Sequence, residues 1–203
     1  MSSARSVILQ RLNSASQSGP THPGQAPLPA LDAEMLTHFK AKLVANVISF
    51  DEVTDDVAIV DAVIGFLSCH QLPLRLSVVA DPRLATLPWP EQLEVTQGRI
   101  EASDLNCLSI AAAAIAETGS VVMQSGHDSP TEANFLPDNF LCIVERATLL
   151  RHMESYWQRW RETDETTPAV INIISGPSRT ADVEQTIQLG AHGPRRMHVI
   201  IKG

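Results

Sequence analysis

Residues 169–190 read AVINIISGPSRTADVEQTIQLG, and this stretch decides the fold of the chain. Its first part, residues 169–174, is rich in β-branched side chains and predicts a strand. The Gly-Pro pair at 176–177 predicts a sharp turn. Residues 179–189 predict a helix, which Gly190 ends. A strand that passes through a tight turn directly into a helix is the repeating unit of α/β folds.

The same alternation is predicted along the rest of the chain. Short apolar strands are predicted at residues 74–80, 93–96, 120–124, 140–145 and 197–201. Helices are predicted at 31–47, from Asp55 and Asp56 onward, at 110–116 and at 147–161. Residues 47–50 could instead begin a strand. Short apolar strands that alternate with helices predict a largely parallel sheet with helices on both faces.

The first thirty residues differ in composition from the remainder. Residues 3–13 predict a short helix. Residues 14–30 hold four prolines among Ser, Gln, Gly and Thr, and they offer too little apolar surface to offset the entropy of ordering. The sequence therefore predicts an N-terminal helix and mobile linker at 1–30, followed by an α/β domain at 31–203.

Composition excludes several classes of protein. The net charge of −8 gives no general attraction to nucleic acid. No apolar run reaches the roughly 18 residues of a membrane span, and no signal-peptide core is visible, so we expect a cytoplasmic protein. The three cysteines are widely spaced without a CxxC pair. We therefore expect this chain alone to bind no metal or iron–sulfur cofactor.

The turn after the 169–174 strand is a candidate anion site. Backbone N–H groups at a helix start attract anions, and Arg179 adds a charged, bidentate donor. Ligands in open α/β sheets lie beyond the carboxyl ends of strands, where we expect this turn to fall. In the alternative interpretation Ser178 and Thr180 are only helix caps, and the acidic residues that follow oppose an anion.

Two further turns carry candidate residues. Glu117 could serve as a general base, a nucleophilic carboxylate or an acceptor for a ligand hydroxyl; the alternative is a solvated helix-end residue. Its neighbours Thr118 and Gly119 are typical of a turn. His192, beside Gly193, could donate to a carboxylate or carbonyl, although a histidine in a glycine-rich turn often has a structural role.

Four ordered motifs resemble those of one known family. They are Ala-Ile-Ala-Glu-Thr-Gly-Ser at 114–120, Asn-Phe-Leu-Pro at 134–137, Gly-Pro-Ser-Arg-Thr-Ala-Asp-Val-Glu at 176–184 and Gly-Ala-His-Gly-Pro at 190–194. In order and spacing they resemble the LUD-domain family, in its LutC/YkgG-like lactate-utilisation group. The resemblance is strong over residues 100–203 and extends only to general layout before that. Ser120 stands where many relatives carry Thr, which keeps the hydroxyl.

The resemblance implies a Rossmann-like α/β fold similar to the NagB/RpiA/CoA-transferase superfamily. It also implies a part in oxidising L-lactate to pyruvate, as a non-redox subunit beside LutA-like and LutB-like iron–sulfur proteins. On this basis Glu117 is a tentative catalytic residue. The residues expected to bind a small organic acid are Thr118, Gly119, Ser120, Gly176, Ser178, Arg179, Thr180, His192 and Gly193.

Two other functions stay open from the sequence. The chain could be an independent enzyme of the CoA-transferase or isomerase type, with Glu117 catalytic and Arg179 holding the substrate. It could also be a regulatory module that binds an organic acid. In each case we expect residues 178–180 to meet residues 117–119 in one cleft, because both segments adjoin short buried strands.

Overall fold

A computed structural model gives the architecture of the chain. It describes residues 4–17, 27–31, 34–163, 167–180, 188–190 and 192–203. The chain divides into two units, Met1–Ala30 and Leu31–Gly203. Within the described ranges, every helix is too short or too polar to cross a membrane.

The first unit contains helix α1, Ala4–Gln17. The helix predicted at 3–13 is therefore confirmed, but it continues into the stretch predicted as linker from residue 14. Its apolar side chains Val7, Ile8, Leu9 and Leu12 are exposed. Most of the predicted linker lies outside the described residues.

The second unit is built from strands and four further helices. The described strands are β1 Ser49–Val53, β2 Arg75–Val78, β3 Glu94–Gln97, β4 Asn106–Ile110, β5 Ala113–Ile115, β6 Ser120–Gln124, β7 Asn139–Glu145, β8 Leu149–Leu150, β9 Ile171–Ile174, β10 Arg179–Thr180, β11 Gln188–Leu189 and β12 Arg196–Lys202. The helices are α2 Met35–Ala45, α3 Asp56–Cys69, α4 Pro82–Ala85 and α5 Met153–Glu162.

A six-stranded sheet in the order β1-β12-β7-β4-β2-β3 forms the centre of this unit. All of its neighbouring strands are parallel. The strands therefore begin along one edge, the amino edge, and end along the opposite one, the carboxyl edge. A second sheet has the order β8-β5-β6-β9. The predicted α/β class with a largely parallel sheet is confirmed.

Helix α3 covers one face of the parallel sheet. Asp55 begins this helix as predicted, and its carboxylate accepts a hydrogen bond from Ala58 N at 2.8 Å. Such a cap satisfies one of the free N–H groups at a helix start. Phe66 and Leu67 are buried in one cluster with Leu141 of β7. Burial of these side chains fixes α3 against the sheet.

The opposite face packs on α2 and on the second sheet. Phe39 and Leu43 of α2 share a buried cluster with Phe140 of β7 and Val121 of β6. On its far side the second sheet packs against α5, where Tyr156 is buried with residues of β5 and β6. The domain is therefore layered as α3, parallel sheet, α2 with the second sheet, and α5.

The helix predicted at 110–116 is wrong. β4 ends at Ile110, and β5 pairs antiparallel with β6 through Ala113 opposite Val122 and Ala114 opposite Val121. Alanine favours helices by less than about 1 kcal/mol per residue. Here Ala113 and Ala114 are buried in two different clusters, so packing on both faces of the second sheet outweighs that preference.

The helices predicted at 179–189 and 147–161 are also wrong in part. Arg179–Thr180 and Gln188–Leu189 form an antiparallel pair instead of helix ends; residues 181–187 lie outside the described residues. Helix α5 begins only at Met153. Leu149 and Leu150 pair with β5 instead, because the edge of that sheet offers them backbone partners.

Candidate functional site

The end of α2 positions the residue around which the predicted site is built. After Ala45 the chain turns through Asn46 and Val47, and Val47 has a φ of +59°. Ile48 N donates to Leu43 O at 2.9 Å, and Val47 N donates to Val44 O at 3.0 Å. This is the Schellman pattern that ends many helices. It leaves Asn46 at the amino edge, just before β1.

Asn46 contacts both of the segments that the sequence analysis placed in one cleft. Its side-chain amide donates to the carbonyl of Thr118 at 2.8 Å. Its own carbonyl accepts a hydrogen bond from Arg179 Nη2 at 3.1 Å. The structure thus brings the segments at 117–120 and 176–180 together. Nothing in the sequence identified Asn46 as their common partner.

Two glycines allow this close approach. A Cβ atom on Gly119 would lie 2.6 Å from Lys42 Cβ, and one on Gly176 would lie 2.7 Å from Asn46 O. Both glycines also have positive φ, +67° and +123°. Their backbones therefore require glycine for steric reasons, and their place in the predicted anion site stays a prediction.

A chain of hydroxyl groups runs between the same two segments. Ser120 Oγ lies 2.6 Å from Thr118 Oγ1 and 2.6 Å from Ser175 Oγ. Ser120 is fully buried, whereas Ser175 is exposed. Because Ser120 bonds to hydroxyls on both sides, it links the end of the second sheet to the turn at Gly176.

Gly190 and residues 192–194 contact Ser178. Ser178 N donates to Pro194 O at 2.8 Å, and Gly190 N donates to Ser178 O at 3.1 Å. Ser178 Oγ accepts a hydrogen bond from His192 N at 3.4 Å. A Cβ atom on Gly193 would lie 3.4 Å from Ser178 Cβ. Ser178 therefore anchors these residues. Because Arg179–Thr180 forms a strand, Ser178 does not begin a helix at residue 179, whereas a cap at Thr180 concerns residues 181–187, which lie outside the described residues.

These turns lie at the amino edge of the parallel sheet. Asn46 precedes β1, which begins at Ser49, and Pro194 precedes β12, which begins at Arg196. The prediction that the 176–180 turn falls beyond the carboxyl ends is therefore wrong for the parallel sheet. The turn follows β9, whose carboxyl end belongs to the antiparallel part of the second sheet.

Glu117 has a partner that the sequence analysis missed. Its Oε2 lies 3.0 Å from Nδ1 of His152, with side chains 26% and 8% exposed. His152 immediately precedes α5, and Glu117 N donates to Arg151 O at 3.0 Å. A carboxylate that accepts Nδ1–H leaves Nε2 as a base. The pair spans 35 residues, so only the packing of α5 against the second sheet brings it together.

Arginines and apolar side chains share the surface around these turns. Arg179 and Arg195 are exposed, and Arg195 Nε lies 3.5 Å from Asp138 Oδ1. Val44 and Val47 are 65% and 62% exposed on either side of Asn46. Phe135, 41% exposed, borders Gly193. We call this surface, formed by Val44, Asn46, Val47, Phe135, Arg179, His192, Gly193 and Arg195, the motif surface.

Two of the three cysteines, Cys107 and Cys142, are buried and therefore poor metal ligands. Burial raises the pKa of the Cys107 thiol to about 12 and raises the pKa of the Cys142 thiol as well. Metals and clusters bind the thiolate. Among the described residues no group of three His, Cys, Asp or Glu side chains is arranged to hold a metal ion.

Comparison with known proteins gives a consistent picture. Residues 83–201 match the model of the LUD domain. Lactate utilization protein C of Halalkalibacterium halodurans is 33% identical over 137 residues, which cover 60% of this chain and 59% of that protein. Lactate utilization protein C of a Geobacillus species is 33% identical over 90 residues, covering 43% of this chain and 37% of that protein.

A solved structure shares the fold. The crystal structure of a DUF162 family protein from Deinococcus radiodurans superimposes with a TM-score of 0.62 at 22% identity, covering 86% of this chain and all of that one. This chain spans less than two thirds of the length of the two curated relatives.

Proposed function

Because the chain belongs to the LUD domain family, we propose that it serves lactate utilisation as a subunit that carries out no redox chemistry itself. Its relatives are named lactate utilization protein C. The electron-transferring groups of such a system would reside in iron–sulfur partner proteins. The motif surface is the part of this chain that would bind one of them.

The observation that carries this proposal is the composition of the motif surface. Three of the four family motifs contribute to it, through Phe135, through Arg179 and through His192 with Gly193, and the surface remains open. Phe and Arg are enriched where proteins bind one another, and Phe135 and Arg179 are both exposed at this point. A surface of this kind favours a protein partner over a fully enclosed small-molecule site.

The state of the cysteines supports the assignment of clusters to partners. An iron–sulfur cluster binds thiolates, and the raised pKa of Cys107 keeps that residue protonated near neutral pH. Cys142 is equally buried. Electrons from lactate would therefore pass through groups that other subunits hold.

The test uses one variant on the motif surface and one away from it. Phe135→Asp should abolish co-purification of cysteine-rich iron–sulfur proteins with the tagged chain from its native cell. Lactate-dependent dye reduction in the purified fraction should be lost with it. Val57→Asp, at another exposed apolar position, on α3, is the matched control and should retain both. Equal recovery of partners with both variants would overturn the proposed surface.

One observation favours a second candidate, an independent enzyme of the CoA-transferase or isomerase type. The Glu117–His152 pair resembles the carboxylate–histidine pairs that prepare a general base. In this candidate Glu117 is catalytic and Arg179 holds an anionic substrate. Turnover of a CoA thioester or sugar phosphate by the solitary chain, abolished in Glu117→Gln, would establish it and would overturn the subunit proposal.

A further inference from the structure

The carboxyl edge of the parallel sheet contains a change of direction in the chain. From β2 the chain moves to the edge strand β3, and then returns to β4 on the other side of β2. From β4 it continues to β7 and β12. In open α/β sheets such a reversal opens a crevice between the two strands at their carboxyl ends.

A cavity lies at this carboxyl edge, lined by residues that follow β2, β4 and β7 and by residues of α5. Its volume is about 320 Å³, within the range of small-molecule sites. Arg83 reaches it from α4, which follows β2, and Ala111–Ala113 follow β4. Glu145, at the end of β7, forms another wall, and Tyr156 and Arg159 of α5 close the outer side.

The alanines after β4 leave the room for this cavity. Ala111 and Ala113 are buried, while Ala112 is partly exposed and lines the opening. Larger side chains at these positions would occupy the crevice. By composition alone these alanines favour a helix. In the folded chain their small side chains instead leave space for the cavity between the two sheets.

The cavity is lined by one arginine and one glutamate that form no ion pair, although Glu145 is close enough to Arg83 and Lys202 for its charge to act on both. Within the described part of the chain, no acidic group lies within ion-pair distance of Arg159, and no basic group lies that close to Glu145. Both side chains line the same cavity, so one ligand in it could contact the two charges together.

Neighbouring groups hold the walls in place. Arg83 donates to Asp81 through Nε at 3.0 Å and Nη2 at 2.7 Å, which fixes its guanidinium. Lys202 Nζ donates to Asp56 Oδ1 at 2.8 Å beside a second cavity that also borders Arg83 and Glu145. These ion pairs order the charged rim before a ligand arrives, and order of this kind lowers the entropy cost of binding.

Tyr156 adds a buried hydroxyl. Only 4% exposed, it accepts a hydrogen bond from Gln124 Nε2 at 2.8 Å, and both residues line the cavity. Because a phenol can also donate, its own hydrogen is available to a ligand oxygen.

We infer that this crevice binds a small hydroxylated organic acid, separately from the motif surface. The carboxylate of the ligand would pair with the guanidinium groups of Arg159 and Arg83. The hydroxyl of the ligand would donate a hydrogen bond to the carboxylate of Glu145. A hydroxy acid supplies both the anion that the arginines require and the donor that Glu145 requires. An acid without the hydroxyl leaves the carboxylate of Glu145 unpaired, which is costly in a partly buried site.

The test is calorimetric titration of the full chain with L-lactate, propionate and inorganic phosphate as probes. We expect L-lactate to bind at least tenfold more tightly than propionate, which lacks the hydroxyl, and more tightly than phosphate. Arg159→Gln and Ala112→Leu should each weaken L-lactate binding at least tenfold. Glu145→Gln should bring L-lactate and propionate closer together in affinity.

Arg161→Gln is the control, because it changes an exposed arginine on the same helix outside the cavity, and it should bind L-lactate as the unaltered chain does. Arg179→Gln tests the alternative site at the amino edge. Circular dichroism on every variant separates loss of binding from loss of fold.

The inference is overturned by the absence of L-lactate binding, by equal affinity for propionate, or by tighter binding of phosphate. Loss of binding in Arg179→Gln with retention in Arg159→Gln would move the ligand to the amino edge. The proposed partner surface is tested separately, because Phe135→Asp lies outside this crevice and is read out by co-purification.

Discussion

Asn46 and Thr118 are joined by a hydrogen bond of 2.8 Å between the Asn46 amide and the Thr118 carbonyl. The two residues are 72 positions apart in the sequence. Asn46 ends α2, and Thr118 lies in the turn between β5 and β6. This bond therefore fixes the second sheet relative to the helix that leads into β1.

Replacing Asn46 by alanine tests that connection. Asn46→Ala removes the donor to Thr118 but keeps the backbone carbonyl that accepts from Arg179. We expect the free energy of unfolding to fall by about 1 kcal/mol, the usual net value of one hydrogen bond. Urea denaturation measures the change. An unaltered midpoint would show that the bond contributes nothing to stability.

Glycine 176 should be far less tolerant of a methyl group than Gly65. Gly176→Ala places a Cβ 2.7 Å from Asn46 O at a φ of +123°, so we expect a loss of about 2 kcal/mol or more, since strain of this kind costs about 1–3 kcal/mol. Gly65 lies within α3 with nothing near its Cβ position. Gly65→Ala should stabilise the protein by about 0.5–1 kcal/mol. Thermal unfolding of both variants compares them directly.

Val47 occupies the helix-ending position that glycine favours. A β-branched residue in the left-handed region, here at +59°, is strained. We expect Val47→Gly to raise the free energy of unfolding by about 1 kcal/mol, because the left-handed penalty of about 1–2 kcal/mol is removed. Val44→Gly, in the last turn of the same helix, should lower it. The prediction fails if both variants change denaturant midpoints in the same direction.

The stability of the domain should depend on pH through His198. Burial lowers the pKa of His198, and Asp51, whose Oδ2 lies 3.3 Å from Nε2, only partly opposes this. The folded state therefore binds fewer protons than the unfolded state just below pH 6.5, and stability must fall as the pH decreases through that window. Denaturation midpoints from pH 7.5 to 5 should show the decrease. His198→Gln should reduce it.

His70 provides a comparison for that measurement. Burial, followed by the charge of Arg196, lowers its pKa too, but the side chain is exposed. His70→Gln should therefore leave most of the pH dependence intact. A larger effect from His70→Gln than from His198→Gln would contradict the assignment to the buried histidine.

The three cysteines should differ sharply in reactivity. Cys69 is exposed, whereas Cys107 and Cys142 are buried with raised pKa values. Because the thiolate is the reactive form, one thiol per folded chain should react rapidly with a disulfide reagent at neutral pH. Cys69→Ser should remove that phase, and denaturant should expose two more thiols. Rapid reaction of Cys107 in the folded chain would be contrary to its burial.

The sequence by itself determined half of the described strands, namely β2, β3, β6, β7, β9 and β12, and the helix that Asp55 caps. These signals are local: apolar β-branched runs form strands such as β9 and β12, and a capping carboxylate marks a helix start. Gly176 and Gly190 also have the positive φ that their turns require. Motif order was sufficient to indicate the family, because it depends only on residue identity and spacing.

Only the tertiary structure decided the state of residues 110–116 and the edge at which the predicted turns lie. Composition favoured a helix for these alanines. Ala113 and Ala114 instead form part of strand β5, because both faces of the second sheet are packed against other elements. The sequence also placed the 176–180 turn at the wrong edge, because strand order and direction are not encoded within a single segment. Contacts such as Glu117 with His152 join distant segments. Periodicity identifies the buried face of an element, whereas the partner of that face depends on how the sheets assemble.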